Sequence, residues 1–249
     1  MLDDPSFYLF AVPAVLIYGI SKGGFGGSIA VLAVLLMTFV TTPTRAAAIL
    51  LPILCVMDVF VVWTYRGVYE STSLRILLPG ALIGILAGYL AVDTMNDDAM
   101  RIMIGALSVA FCMQSWLDWP RGAGRRHNAI SGTALGIASG FTSFSIHAGG
   151  PPFGMYMLPK RLEPLLYAGT AGIFFAVVNY VKLVPYYLLD QLRLDNLVVS
   201  VVLMPLAPIG VKLGHYLVKK SNTRLFYGIC YSFLMVVGLK LLFEGFGYL

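Results

Sequence analysis

Apolar runs separated by short polar breaks occupy the whole chain, at residues 7–20, 29–40, 46–65, 74–92, 99–116, 129–146, 153–158, 165–189, 197–218 and 224–243. The runs are continuous and do not alternate, which predicts helices and excludes the strand pattern of a membrane β-barrel. Six of them, 46–65, 74–92, 99–116, 165–189, 197–218 and 224–243, have the length needed to cross a hydrocarbon core of about 30 Å. The other four form two interrupted pairs. The first pair is broken at "SKGGFGGS" (21–28), the second at "HAGGPP" (147–152).

The order therefore occurs twice: a broken pair of short segments, then three full spans. Residue matches support a duplication. "LLPGALIGILAG" (77–88) aligns with "LMPLAPIGVKLG" (203–214), with Pro79/Pro205, Gly84/Gly210 and Gly88/Gly214 each 126 residues apart. Arg101/Arg224, Gly105/Gly228 and Gly26-Gly27/Gly149-Gly150 align at an offset of 123, and Asp58/Asn179 at 121. Matches in one order at nearly one offset predict an internal repeat. The expected organisation is a first repeat at 1–117, a basic linker at 118–128 and a second repeat at 129–249, within one integral membrane domain.

Composition agrees with this reading: 59% of the 249 residues are hydrophobic, 12% are charged, and the mean hydropathy is +0.83. The fold class expected is an all-α polytopic membrane protein. The formal charge of +5 resides in short loops, where it sets topology, and gives no reason to invoke nucleic acid. Loop 93–98 carries three acids, while its repeat partner 219–224 carries three bases. Loop 66–75 has two arginines against the net acidic 190–195, and the central loop adds Arg121, Arg125 and Arg126. With basic loops cytoplasmic, equivalent loops lie on opposite sides, so the repeats are inverted and both termini are external. Cys55, Cys112 and Cys230 lie within apolar runs, without disulfide or metal spacing. The start, "MLDDPSF", lacks the basic region of a cleaved signal.

The breaks carry the candidate chemistry. From Phe7 to Lys22 is about 22 Å of helix at 1.5 Å per residue, deep in the bilayer. Irregular backbone at that depth survives only inside protein or along a wet cavity, and inverted repeats with interrupted helices mark transporter sites. Helices restarting near Ser28 and Pro151 would aim free N–H groups and positive dipole ends at an anion. Gly24, Gly26, Gly27, Gly149 and Gly150 would let it approach the backbone, or else permit tight helix crossing. Lys22 supplies a cation, with snorkelling as the alternative that its depth disfavours. Ser21, Phe25, Thr142, Ser143 and Ser145 complete the tips. His147 is either a ligand or proton relay, or a structural hydrogen-bonder. Asp58, mid-span, is either a proton carrier or a structural partner of a lysine, and Asn179 is its repeat equivalent. Lys182 either faces the cavity or snorkels outward. Arg45, Lys160 and Arg161 are read as interfacial topology signals. The glycine-rich stretch 80–88 packs either within one protomer or between two, which leaves a homodimer open.

At "SKGGFGGSIAVLAVLLM" and "SGFTSFSIHAGGPPFGMYMLP" the chain resembles the sulfite exporter TauE/SafE family of sulfonate permease-like transporters, and "GTAGIFFAVVNYVKLVPYYLLDQL" extends the likeness. The resemblance implies a carrier of small sulfur-containing anions, such as sulfite or organosulfonates, in the bacterial inner membrane. The expected function is a secondary transporter without cofactor, working by alternating access. There is no nucleotide-binding motif, and export of an anion from a negative cell needs no further ion. Two rivals stand beside it. An intramembrane lipid-phosphate enzyme would want acids and arginines at tips that have none. An anion channel would lack saturation and counterflow. A purely structural membrane protein gives no reason for Lys and His at two breaks.

Overall fold

A computed structural model describes residues 5–27, 30–92, 97–117 and 128–247. Ser28, most of the acidic 93–98 loop and residues 118–127 of the basic linker lie outside them. The described residues form helices α1 (Pro5–Gly24), α2 (Ala30–Thr38), α3 (Pro43–Thr64), α4 (Ser71–Leu90), α5 (Asp97–Leu117), α6 (Ala129–Ile146), α7 (Gly150–Met157), α8 (Pro164–Leu188), α9 (Leu194–Leu203), α10 (Leu206–Lys220) and α11 (Thr223–Gly245), with a 3-10 turn at Leu158–Lys160. Five of these, α1, α3, α4, α8 and α11, are long and apolar enough to cross a membrane, and α9 with α10 makes a sixth if that bent pair is one span.

Two helices depart from the expected boundaries. α1 continues through Gly24, so Lys22 lies in its last turn and the whole helix reaches spanning length. The expected span 197–218 is split into α9 and α10, which meet at 49°. Pro205 lacks an N–H and its ring crowds the preceding turn, which breaks the helix. Pro208 follows at the third position of α10, in a first turn where proline fits. Pro79, at the equivalent place in α4, has no second proline after it, and α4 runs on.

The chain divides into two compact units. Unit 1 contains residues 1–70 and 164–220, and unit 2 contains residues 71–163 and 221–249. Each draws helices from both expected repeats. In unit 1, α1 lies parallel to α10: a Cβ on Gly19 would sit 2.7 Å from the Gly210 Cα, and one on Gly24 would strike the backbone of Gly214. In unit 2, α4 lies parallel to α6 in the same manner, with Gly80 and Gly84 against Thr133 and Ile137, and Gly136 and Gly140 against Leu77 and Ala81. Helices in lipid gain little from burying apolar surface, so small residues spaced by four, which let backbones approach, supply the association through close packing. The glycines of 80–88 are thus engaged within unit 2.

Two further pairs are antiparallel. α3 and α8 meet from Tyr65 against Gly169, through Val61 against Gly172, to Cys55 against Tyr180. α5 and α11 meet from Gly105 against Gly238 to Ile102 against Gly245. The core of unit 1 is a layer of small and aliphatic side chains from α1, α3 and α9, including Ala14, Ile49, Leu50, Ile53 and Val199. Ser200 Oγ donates to the Ile49 carbonyl at 2.7 Å inside it. At one end of unit 1, Arg45 pairs with Asp195 at 3.1 Å and donates to the Asn196 side chain at 2.9 Å, tying the starts of α3 and α9. Lys160 in unit 2 donates to the Ser73 hydroxyl at 2.5 Å.

Candidate functional site

In unit 1 the glycine-rich break is a helix terminus of defined geometry. The Ser21 carbonyl accepts from Phe25 N at 2.9 Å and from Gly27 N at 3.2 Å. The second bond runs from Gly27 back to Ser21, one residue longer than a Schellman bond, and it closes α1 through a left-handed residue just past the helix. Gly26 takes that place with φ of 58°, and Gly27 follows at 82°. A side chain on Gly26 would also strike Tyr167 and Ala171 of α8, and Phe175, one turn on, lies against Gly27. The tip is therefore seated on one stripe of α8. Tyr65, at the end of α3, donates its hydroxyl to the Gly23 carbonyl at 2.6 Å, and its ring stands edge-on to His215 at 5.1 Å between centroids. Phe25 and Ser21 are buried in this packing.

The same stripe of α8 continues to a buried polar cluster. Lys22 Nζ donates to Asp58 Oδ1, and the other carboxylate oxygen accepts from Asn179 Nδ2 at 2.8 Å. Lys182, three residues beyond Asn179 and on the same helix face, is fully buried and within electrostatic reach of Lys22, Asp58 and Cys55. Lys22 is 4% exposed and Asp58 is not exposed at all. Neither lysine snorkels to water. Tyr18 of α1 is within electrostatic reach of the Asp58 carboxylate and of Tyr186 of α8. An open groove of about 420 Å³, lined by Val59, Val62, Trp63, Arg66 and Tyr180, ends on Asp58.

The second break lies in unit 2 and closes the same way. α6 ends at His147, which is left-handed at φ of 52°, and Ala148 N bonds the Thr142 carbonyl at 3.1 Å across six residues. The backbone geometry thus pairs Ser21, Gly26 and Gly27 with Thr142, His147 and Ala148, each 121 residues on, the offset that also relates Asp58 to Asn179. This shifts by two residues the alignment that would put Gly26-Gly27 opposite Gly149-Gly150. In the shifted register Ser143 stands where the first tip has Lys22. Two hydroxyls of α6 hold the break: Ser139 Oγ donates to the Gly149 carbonyl at 2.7 Å, and Thr142 Oγ1 lies 2.9 Å from the Ala148 carbonyl oxygen. Ser145 donates back to the Phe141 carbonyl at 2.9 Å, so its proton is directed into its own helix. Gly150 and Pro151 open α7, with proline in the first turn where its missing N–H is not needed. His147 and Ser143 are buried.

Of the residues expected to form a site, unit 1 brings together Ser21, Lys22, Gly26, Gly27, Asp58, Asn179 and Lys182. Gly24 faces the α10 backbone. Unit 2 brings together Ser143, Ser145, His147, Gly149, Gly150 and Pro151. Sequence reasoning missed Tyr65, Tyr167, Phe175 and His215. Tyr167, Ala171 and Phe175 recur every four residues, a helical stripe visible in the sequence, but nothing there says that it faces the break. Among the described residues, no three His, Cys, Asp or Glu side chains come together as a metal site would require.

The buried charge pair thus lies at a capped helix end, in a chain whose helices are long and apolar enough to cross a membrane and pack along glycine seams. Comparison with curated proteins and with solved structures finds no match. The family model described as "Sulfite exporter TauE/SafE" matches residues 11–241, nearly the whole chain. The protein belongs to the sulfite exporter TauE/SafE family and is a multi-pass membrane transporter.

Proposed function

We propose that the protein exports a small sulfur-containing anion, sulfite or an organosulfonate, across the bacterial inner membrane by alternating access, and that Lys22 is its principal contact. The observation that carries this reading is the position of Lys22. It lies in the last turn of α1, shielded from water, paired with the Asp58 carboxylate and within electrostatic reach of Lys182. Ser21, Phe25, Gly26, Gly27, Asn179 and Lys182 are the proposed neighbours of the anion in unit 1, with Ser28 beyond the described residues. Asp58 is the counter-ion that Lys22 leaves when the anion enters, and a candidate proton carrier. The tip of unit 2 is proposed as a second anion-binding element in its own right, with Ser143, His147, Gly149 and Gly150 offering hydroxyl, ring and backbone donors where Pro151 opens α7, and His147 is the second proton candidate. No cofactor enters the cycle.

Several features support an inverted duplication behind this cycle. α1 pairs with α10 while α4 pairs with α6, the reciprocal exchange expected of two equivalent halves. α3 and α8 run antiparallel, as inverted equivalents must. Basic loops facing the cytoplasm would leave both termini outside.

The reading is tested by thermal stabilisation of the purified protein with sulfite, sulfate, thiosulfate, sulfoacetate, taurine, isethionate, phosphate and acetate. A ligand that binds only the folded state raises stability by mass action. Selective stabilisation by a sulfur oxyanion, lost in Lys22→Gln, is the expected result. A response to phosphate or a lipid phosphate and to no sulfur anion would favour an intramembrane enzyme instead.

A further inference from the structure

We infer that the groove between α3 and α8 holds one anionic phospholipid, with its phosphate on Arg66 and one acyl chain laid along the groove toward Asp58. The inference stands apart from the reading of the anion site.

The first observation is the course of the groove. Asp58, Val59, Val62, Trp63 and Arg66 of the α3 segment line it, together with Tyr180 of α8, around a volume of about 420 Å³. The α3 residues recur at helical spacing and so form one face. From Asp58 to Thr64 is about 9 Å of helix at 1.5 Å per residue, and Arg66 lies beyond the helix end. One leaflet of the hydrocarbon core is about 15 Å deep. The groove therefore follows a helix of spanning length from its end into its interior, over a distance that a single acyl chain covers.

The second observation is the order of the chemistry. An exposed guanidinium stands at the mouth, then an indole, then two valines, and the wholly buried Asp58 at the floor. A phospholipid presents phosphate, glycerol ester and hydrocarbon in the same order. Tyr180 donates its hydroxyl to the Cys55 carbonyl at 3.1 Å, so the hydroxyl is engaged and the ring adds apolar surface. Val59 is 56% and Trp63 66% exposed, on a helix long and apolar enough to cross a membrane. What lies against them there is lipid or another protein.

Charge decides between these two. Among the described residues no carboxylate pairs with Arg66. Asp58 does not serve, since one of its oxygens accepts from Lys22 and the other from Asn179. A second copy, related by a two-fold axis along the membrane normal, would bring its own Arg66 to the same depth and set like charges together. An anionic headgroup supplies the missing partner. With basic loops cytoplasmic, Arg66 meets the leaflet whose surface is negative. A zwitterionic lipid offers the same chain but carries its own cation beside the phosphate.

The test is native mass spectrometry of the purified protein in detergent, titrated with dioleoyl phosphatidylglycerol or dioleoyl phosphatidylcholine, which share their chains. Wild type is expected to hold one phosphatidylglycerol per protomer, at least about fivefold more tightly than phosphatidylcholine. Arg66→Gln is expected to remove that preference. Val59→Trp, which fills the groove and leaves Arg66 in place, is expected to lower the affinity for both lipids. Arg75→Gln, on α4 and outside the groove, is expected to behave as wild type. Val59 and Arg66 are both exposed, so neither change threatens the fold. Equal affinity of wild type for the two lipids overturns the inference. So does a phosphatidylglycerol preference that survives Arg66→Gln, or undiminished binding by Val59→Trp, since the lipid would then sit elsewhere. Dimers of wild type that Val59→Trp abolishes, with no lipid retained, would give the groove to a second copy and overturn it as well.

Discussion

Lys22 Nζ on α1 donates to Asp58 Oδ1 on α3, and both side chains are shielded from water. Removing one member deprives the other of its direct counter-charge in a place where that is costly. Lys22→Met and Asp58→Leu are each expected to lose about 3–5 kcal/mol of stability. The double variant is expected to recover most of the loss. Denaturant unfolding in detergent across this cycle reads the coupling, and additive losses would mean that the two charges do not depend on each other. Salt should leave the coupling nearly unchanged, in contrast to the exposed Arg45–Asp195 pair.

Gly26 and His147 occupy the same left-handed place at the ends of α1 and α6. Glycine enters that region freely, whereas a side chain pays about 1–2 kcal/mol. Gly26→Ala is expected to lose that amount and more, because Tyr167 stands in the way. His147→Gly is expected to raise the melting temperature while reducing transport. Higher stability with unchanged transport would assign His147 a structural place and remove it from the proposed contacts.

Gly84 on α4 faces the backbone of Ile137 on α6, and Gly210 on α10 faces Gly19 on α1. Gly84→Leu and Gly210→Leu would prise these helices apart, at an expected cost of about 1–3 kcal/mol each. Among the described residues nothing lies within contact range of a Cβ on Gly228 of α11, so Gly228→Ala is expected to be neutral or to stabilise by up to about 1 kcal/mol. Thermal unfolding of the three variants side by side checks the contrast. Equal losses would show that glycine content, and not helix approach, sets stability.

Tyr65 donates to the Gly23 carbonyl, just before the cap of α1. Tyr65→Phe keeps the ring against His215 and removes only the hydroxyl. The expected cost is about 0.5–1.5 kcal/mol. Anion affinity should fall with it, because Lys22 sits in the turn that the bond secures. Loss of stability without any loss of affinity would separate the tip's packing from the site.

Much of the fold was legible in the chain because its signals are local. Apolar runs set the helices, and α6 starts and ends where the sequence places it. The breaks were legible from glycine and from Lys22. What was not legible depends on three-dimensional partners. Gly23 and Gly24 read as helix breakers, yet α10 presses against them and α1 continues. Pro205 and Pro79 look alike in sequence, and only the second proline at 208 separates a broken helix from a continuous one. The pairing of Lys22 with Asp58 joins two helices through one contact, and periodicity has no means of choosing it from the alternatives open to Asp58. The two-residue shift at the second tip came from hydrogen bonds at α1 and α6, since glycine identity alone favours the other alignment.

The most direct test of the central claim is counterflow of radiolabelled sulfite in proteoliposomes holding wild type or Lys22→Gln. The account predicts saturable uptake of label, accelerated by unlabelled sulfite on the opposite side, and its loss in the variant. Counterflow by Lys22→Gln at the wild-type rate, or flux that neither saturates nor responds to sulfite across the membrane, would contradict it.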